Sequence, residues 1–148
     1  MVHRRFFLNG RFLLLIILLA LMALPHYSQV RRLGPEVKSF LSFLKQEEDE
    51  LKFQIEHDEI SREEYTLSLE KISILREIVL EFTRKTGEDR VPEYHVITEP
   101  EAEQLIPGGT EALLKTNPGE LIAEKWRFIR SVTRHDKFFI IERTDQKH

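Results

Sequence analysis

The sequence predicts an α+β protein: an N-terminal signal or anchor helix, a long antiparallel αα-hairpin, and a small antiparallel sheet of about three strands packed on that hairpin. Three observations predict it. An arginine-flanked apolar run opens the chain, two stripes of helical period follow with a short corner between them, and strand-like segments replace helical ones after Pro92. The corresponding units are residues 1–30, 35–87 and 92–143, the last two expected to share one core.

Arg4, Arg5 and Arg11 precede an unbroken apolar run: Phe12, Leu13, Leu14, Leu15, Ile16, Ile17, Leu18, Leu19, Ala20, Leu21, Met22, Ala23 and Leu24, closed by Pro25. A positive flank and an apolar stretch of this length form a signal peptide or a signal anchor. Thirteen residues at ~1.5 Å each reach roughly 20 Å, short of a hydrocarbon core of about 30 Å. Phe6, Phe7 and Leu8 extend the run into an anchor if Arg11 snorkels. No clean small-x-small pair marks a cleavage point, because His26 precedes Ser28 by two and Leu21 precedes Ala23 by two. Either way the positive flank stays in the cytoplasm and the remainder is exported. The chain is then membrane-anchored and faces outside the cytoplasm, or is secreted or periplasmic if the segment is cleaved.

After Gly34-Pro35, apolar residues recur at Val37, Phe40, Leu41, Leu44, Leu51 and Ile55, with Glu48 interrupting the seam and Phe43 and Phe53 off to one side. Pro35 suits a first helical turn, where its missing N–H costs nothing. The second stripe runs Tyr65, Leu69, Ile72, Leu75, Val79 and Phe82, broadened by Leu67, Ile74 and Ile78. Ser61-Arg62-Glu63-Glu64 is a capping box with Ile60 placed as its staple, and Gly87 stops the helix behind Arg84 and Lys85. The connector His57–Ile60 is too short for a crossover, so the helices dock antiparallel. The second face is wider than one partner helix covers.

Leu51 through Leu69, centred on Ile60-Ser61-Arg62-Glu63-Glu64-Tyr65, resembles the short bacterial helical-hairpin module (SHOCT-like), with Asp58-Glu59 standing where that module has Gly. The resemblance implies an interaction or oligomerisation role without catalysis.

Tyr94-His95-Val96-Ile97 reads as a strand, and Thr98-Glu99-Pro100-Glu101 caps a helix through Ile106 that Pro107-Gly108-Gly109 ends. Thr110 caps another short turn through Lys115, and Asn117-Pro118-Gly119 breaks the chain again. Trp126–Val132 and Phe138–Glu142 are strands about an Arg134-His135-Asp136 turn, with Phe138 and Ile140 on one face and Phe139 and Ile141 on the other. Trp126, Phe128, Phe138 and Ile140 are the apolar surface expected to meet the wide helix. Tyr94–Ile97, Trp126–Ile129 and Phe139–Arg143 resemble a small bacterial strand-helix-hairpin domain of unknown function over 93–143, with Lys125 in place of a Gly.

Composition limits the chemistry. The 148 residues are 41% apolar and 32% charged, which are globular values. Residues 1–35 hold five arginines and no acid, leaving 17 of the 22 basic residues against all 25 acids in 36–148, a balance of −8. Such a domain repels phosphate backbones, so no nucleic-acid partner is expected. Without cysteine there is no disulfide, thiolate site or Cys nucleophile. The six histidines form no metal-binding pair, and His57-Asp58 and His135-Asp136 read as solvated corners. Gln46–Glu50 reads as a solvated helix face and Trp126 as core. No catalytic residue, metal site or cofactor is implied. The candidate anion- or ligand-binding loop is Gly108, Gly109 and Thr110, whose free N–H groups open a helical turn.

The leading expectation is an exported, membrane-associated, non-enzymatic interaction or structural protein. Its partners are the membrane, through the N-terminal segment, and a protein or second copy, through helix 62–85. The alternatives are an exported small-ligand or anion-binding module using the sheet and the Pro107–Thr110 loop, and an enzyme with an unrecognised site.

Overall fold

Gly34 lacks a side chain to cap the helix behind it, and a distant residue does the capping. In the computed structural model, which describes residues 33–144, Asp89 accepts from the Glu36 N–H at 3.1 Å and the Val37 N–H at 3.0 Å. A Cβ at Gly34 would overlap that carboxylate, so glycine is required by space. Glu36 in turn accepts from the Val91 N–H at 2.9 Å. These bonds start helix α1 (Pro35–Glu56) and tie it to the segment that leaves the second helix.

Helix α2 (Arg62–Thr86) begins at the expected box: the Glu64 N–H donates to Ser61 Oγ at 3.1 Å, and the Ser61 N–H donates to Glu64 Oε2 at 2.8 Å. It ends at Gly87, whose φ of 76° is the left-handed region glycine enters without strain. At the corner, Asp58 holds φ 56°. Glu48, the break in the α1 seam, pairs with Arg76 of α2 at 2.6 Å and so bridges the hairpin.

Then come β1 (Tyr94–Thr98), α3 (Glu99–Leu105), α4 (Gly109–Lys115), β2 (Leu121–Ala123), β3 (Trp126–Thr133) and β4 (Lys137–Arg143). The fold is α+β, with four helices and one antiparallel four-stranded sheet among the described residues, in the order β1-β4-β3-β2. β2 is the strand beyond the expected three. With three residues it is too short to show a period, and it pairs irregularly with β3. Thr110 is not a cap: Gly108, at φ 82°, precedes α4, and Thr110 lies inside the helix.

The sheet is covered on both faces. Phe138, Ile140 and Val96 cluster with Val37, Ile74, Ile78 and Val79 of the hairpin, while Phe139, Ile141, Ile97 and Phe128 cluster with Ala102, Ile106 and Leu113 of the short helices. Hairpin and sheet thus share a buried core. One correction concerns β3. Phe128 faces the short helices, and Trp126 packs at the edge of that same cluster, because a β-bulge shifts the register between Phe128 and Arg130. The extra residue restarts the alternation, so Val132 and Arg130 lie toward α2 instead. No described helix is long and apolar enough to cross a membrane, and Phe12–Leu24 lies outside the described residues.

Candidate functional site

The predicted ligand loop is filled from within. Gly109 donates to the Ile106 carbonyl at 2.8 Å, and the Thr110 N–H donates to Glu103 Oε1 at 2.9 Å. The Glu103 carboxylate also occupies the space a Cβ at Gly109 would need. The Thr110 N–H bond holds its carboxyl below the ordinary carboxylate range. An external anion at Gly108, Gly109 and Thr110 has to displace this carboxylate first.

Beside that loop an open groove of about 460 Å³ runs between Leu105, Pro107, Ala123, Lys125 and Trp126. Trp126 is half-buried rather than core, and His95 meets its ring edge-on at 5.0 Å between centroids. A second cleft, of about 410 Å³, lies where β1, β3 and β4 approach the start of α1. It brings together Arg90, Arg127, Arg143, Glu36, Glu93 and Glu142. Its charges largely satisfy one another: Arg127 pairs with Glu142 at 3.0 Å and Arg143 with Glu93 at 3.6 Å. Burial, aided by the Glu142 charge, pushes the neighbouring Tyr94 hydroxyl up to about 12.

The expected partner surface on 62–85 is largely used inside the molecule. Ile72, Ile74, Ile78 and Val79 are all buried, and the acids on α2 reach the β3–β4 hairpin. Arg130 pairs with Glu81 at 2.8 Å and Glu77 at 3.1 Å, Arg134 with Glu77 at 3.3 Å, and His135 with Glu70 at 2.7 Å. His135 keeps a solvated place at the corner, its side chain 82% exposed, and reaches Glu70 of α2 from there.

The outer face of α1 remains open. Phe43 is 50% exposed and Phe53 49% exposed, although a solvated helix face ordinarily carries polar side chains. Phe53 lies opposite the seam of Val37, Leu44 and Leu51 and Phe43 to one side of it, the two separated by ten residues, or about 15 Å along the axis. Glu47 and Glu50 stand between them. At the helix end His57 stacks on Phe53 at 3.9 Å and donates from Nδ1 to the Phe53 carbonyl at 2.8 Å, which fixes both rings. Phe43 and Phe53 are visible in the sequence as off-seam residues, and the width of the α2 apolar face already points to its covering by the sheet; which face of α1 that leaves open comes only from the packing. Among the described residues no group of three or more His, Asp or Glu is arranged to hold a metal ion.

No protein-family model matches the chain, and no curated protein or solved structure matches it significantly.

Proposed function

We propose that the chain is an exported, membrane-associated, non-enzymatic interaction or structural protein, with the outer face of α1 as its contact surface. The observation that carries the interaction reading is the pair of half-exposed phenylalanines on one solvent-facing helix surface. Large aromatics held in fixed positions supply contact area at small entropic cost, which is why they dominate interface energetics. The arginine-flanked run Phe12–Leu24 supports the membrane association. The likeness of 51–69 to the helical-hairpin module is supported by Asp58, which stands where the module has Gly and holds a positive φ.

A reporter fused after His148 tests location: activity only outside the cytoplasm is expected, and retention in the carbonate-washed membrane separates an anchor from a cleaved peptide. A reporter active only in the cytoplasm overturns the reading. The groove of Leu105, Pro107 and Trp126 favours a second reading, an exported small-ligand module. Because Trp126 is the chain's single tryptophan, a ligand entering that groove would change the intrinsic fluorescence.

A further inference from the structure

We infer that the outer face of α1 docks a cationic protein segment carrying apolar side chains, such as a basic amphipathic helix; this rests on the interaction reading above. Charge selects that partner. Residues 46–64, the outer half of α1 and the corner, carry nine acids and two bases, so −7 of the −8 on 36–148 is concentrated there. Three of the nine are neutralised within the fold: Glu48 by Arg76, Asp49 by Lys45 and Glu56 by Lys52. Glu64 is engaged as a cap. Among the described residues Glu47, Glu50, Asp58, Glu59 and Glu63 have no cation within ion-pair distance.

Spacing joins this charge to the aromatics. Phe43, Glu47, Glu50, Phe53 and His57 follow one another at intervals of four, three, three and four, which places them on one helical stripe. The stripe is about 21 Å long at ~1.5 Å per residue. Apolar anchors alternating with unpaired carboxylates match a partner that alternates apolar and basic groups. A second copy is disfavoured, since two such faces would oppose the same five unpaired acids to each other. An anionic lipid surface is disfavoured for the same reason.

The test uses the full chain in nanodiscs of zwitterionic lipid, with empty nanodiscs as background. The probe is a fluorescein-labelled amphipathic peptide of Lys and Leu, beside an equivalent peptide of Glu and Leu. The Lys/Leu peptide is expected to bind and the Glu/Leu peptide not to. The double variants Phe43→Ser/Phe53→Ser and Glu47→Lys/Glu50→Lys should each weaken binding by about tenfold or more, as loss of interface anchors does. Glu88→Lys/Glu111→Lys, which alters the same net charge elsewhere, should leave the affinity within about twofold. All variants lie on exposed positions, and equal melting curves confirm that they fold. Binding should also weaken in molar salt, where the Debye length falls to about 3 Å. Binding untouched by the Phe43/Phe53 pair, or weakened equally by the Glu88/Glu111 pair, overturns the proposal, as does self-association through Phe43 and Phe53 in sedimentation. Absent probe binding overturns it as well. If position 53 still cross-links to a discrete neighbour in membranes, the error lies in the partner's chemistry and the interaction reading stands.

Discussion

Asp58 turns the hairpin at φ 56°, a conformation that costs a residue with a Cβ roughly 1–2 kcal/mol and glycine little. Glycine's looser unfolded chain offsets part of that gain. Asp58→Gly should therefore stabilise the protein by about 0.5–1 kcal/mol in urea melts. Three residues later Ser61 satisfies the Glu64 N–H, so Ser61→Ala should cost about 0.5–2 kcal/mol, while Ser39→Ala, exposed in the second turn of α1, should be near neutral. Equal effects at both serines would remove the case for a cap. Asp89 caps α1 from 52 and 53 positions away. Asp89→Ala should cost as much as losing a local cap, about 0.5–2 kcal/mol. Ser61 was legible because a capping box is written within four residues. Asp89 was not, because nothing in Gly34-Pro35 says which acid will fold over it.

Among the elements, β4 is the one both layers depend on. Phe138 and Phe139 are each fully buried, on opposite faces, against the hairpin and the short helices respectively. Phe138→Ala and Phe139→Ala should each cost about 3–5 kcal/mol. A small loss at either would mean that its layer is not packed on the sheet. The alternation of β4 was readable directly, whereas Trp126 and Phe128 of β3 fall on the face opposite to the expected one, because a bulge inserts one residue without changing the apolar pattern.

A second element-level contact joins α2 to α3. Lys71 Nζ lies 2.6 Å from Glu101 Oε1, and the Thr98 N–H and Oγ1 donate to Glu101 Oε2 at 2.8 and 2.9 Å. Burial opposes the Glu101 charge, but the Lys71 and Thr98 bonds outweigh it and hold the carboxyl below its ordinary value of 4.5. A depressed carboxylate stabilises the fold above its unfolded value and loses that contribution as pH falls through the folded one. Stability should therefore drop on acidification below about pH 4.5, and Glu101→Gln should flatten that drop while lowering stability at neutral pH. An unchanged acid limb in Glu101→Gln would assign the effect to other groups.

At the scale of the molecule, the hairpin is incomplete without the sheet. Ile74 and Ile78 are 0% and 5% exposed, in a cluster that includes Phe138, Ile140 and Val96 of the sheet. A chain truncated after Gly87 should self-associate or aggregate in size-exclusion chromatography. A 30–87 fragment that stays monomeric and melts like the full exported chain would contradict the shared core. Once the sheet covers α2, the remaining outward helix of the hairpin is α1, with Glu47 and Glu50 between Phe43 and Phe53. Site-specific photo-cross-linking of the full chain in its own membranes tests that face most directly. With p-benzoylphenylalanine in place of Phe43 or Phe53, a discrete adduct is expected that is lost with Glu47→Lys/Glu50→Lys and absent when the probe replaces Glu111 on α4. No adduct from either phenylalanine position, or the same pattern from position 111, would contradict it.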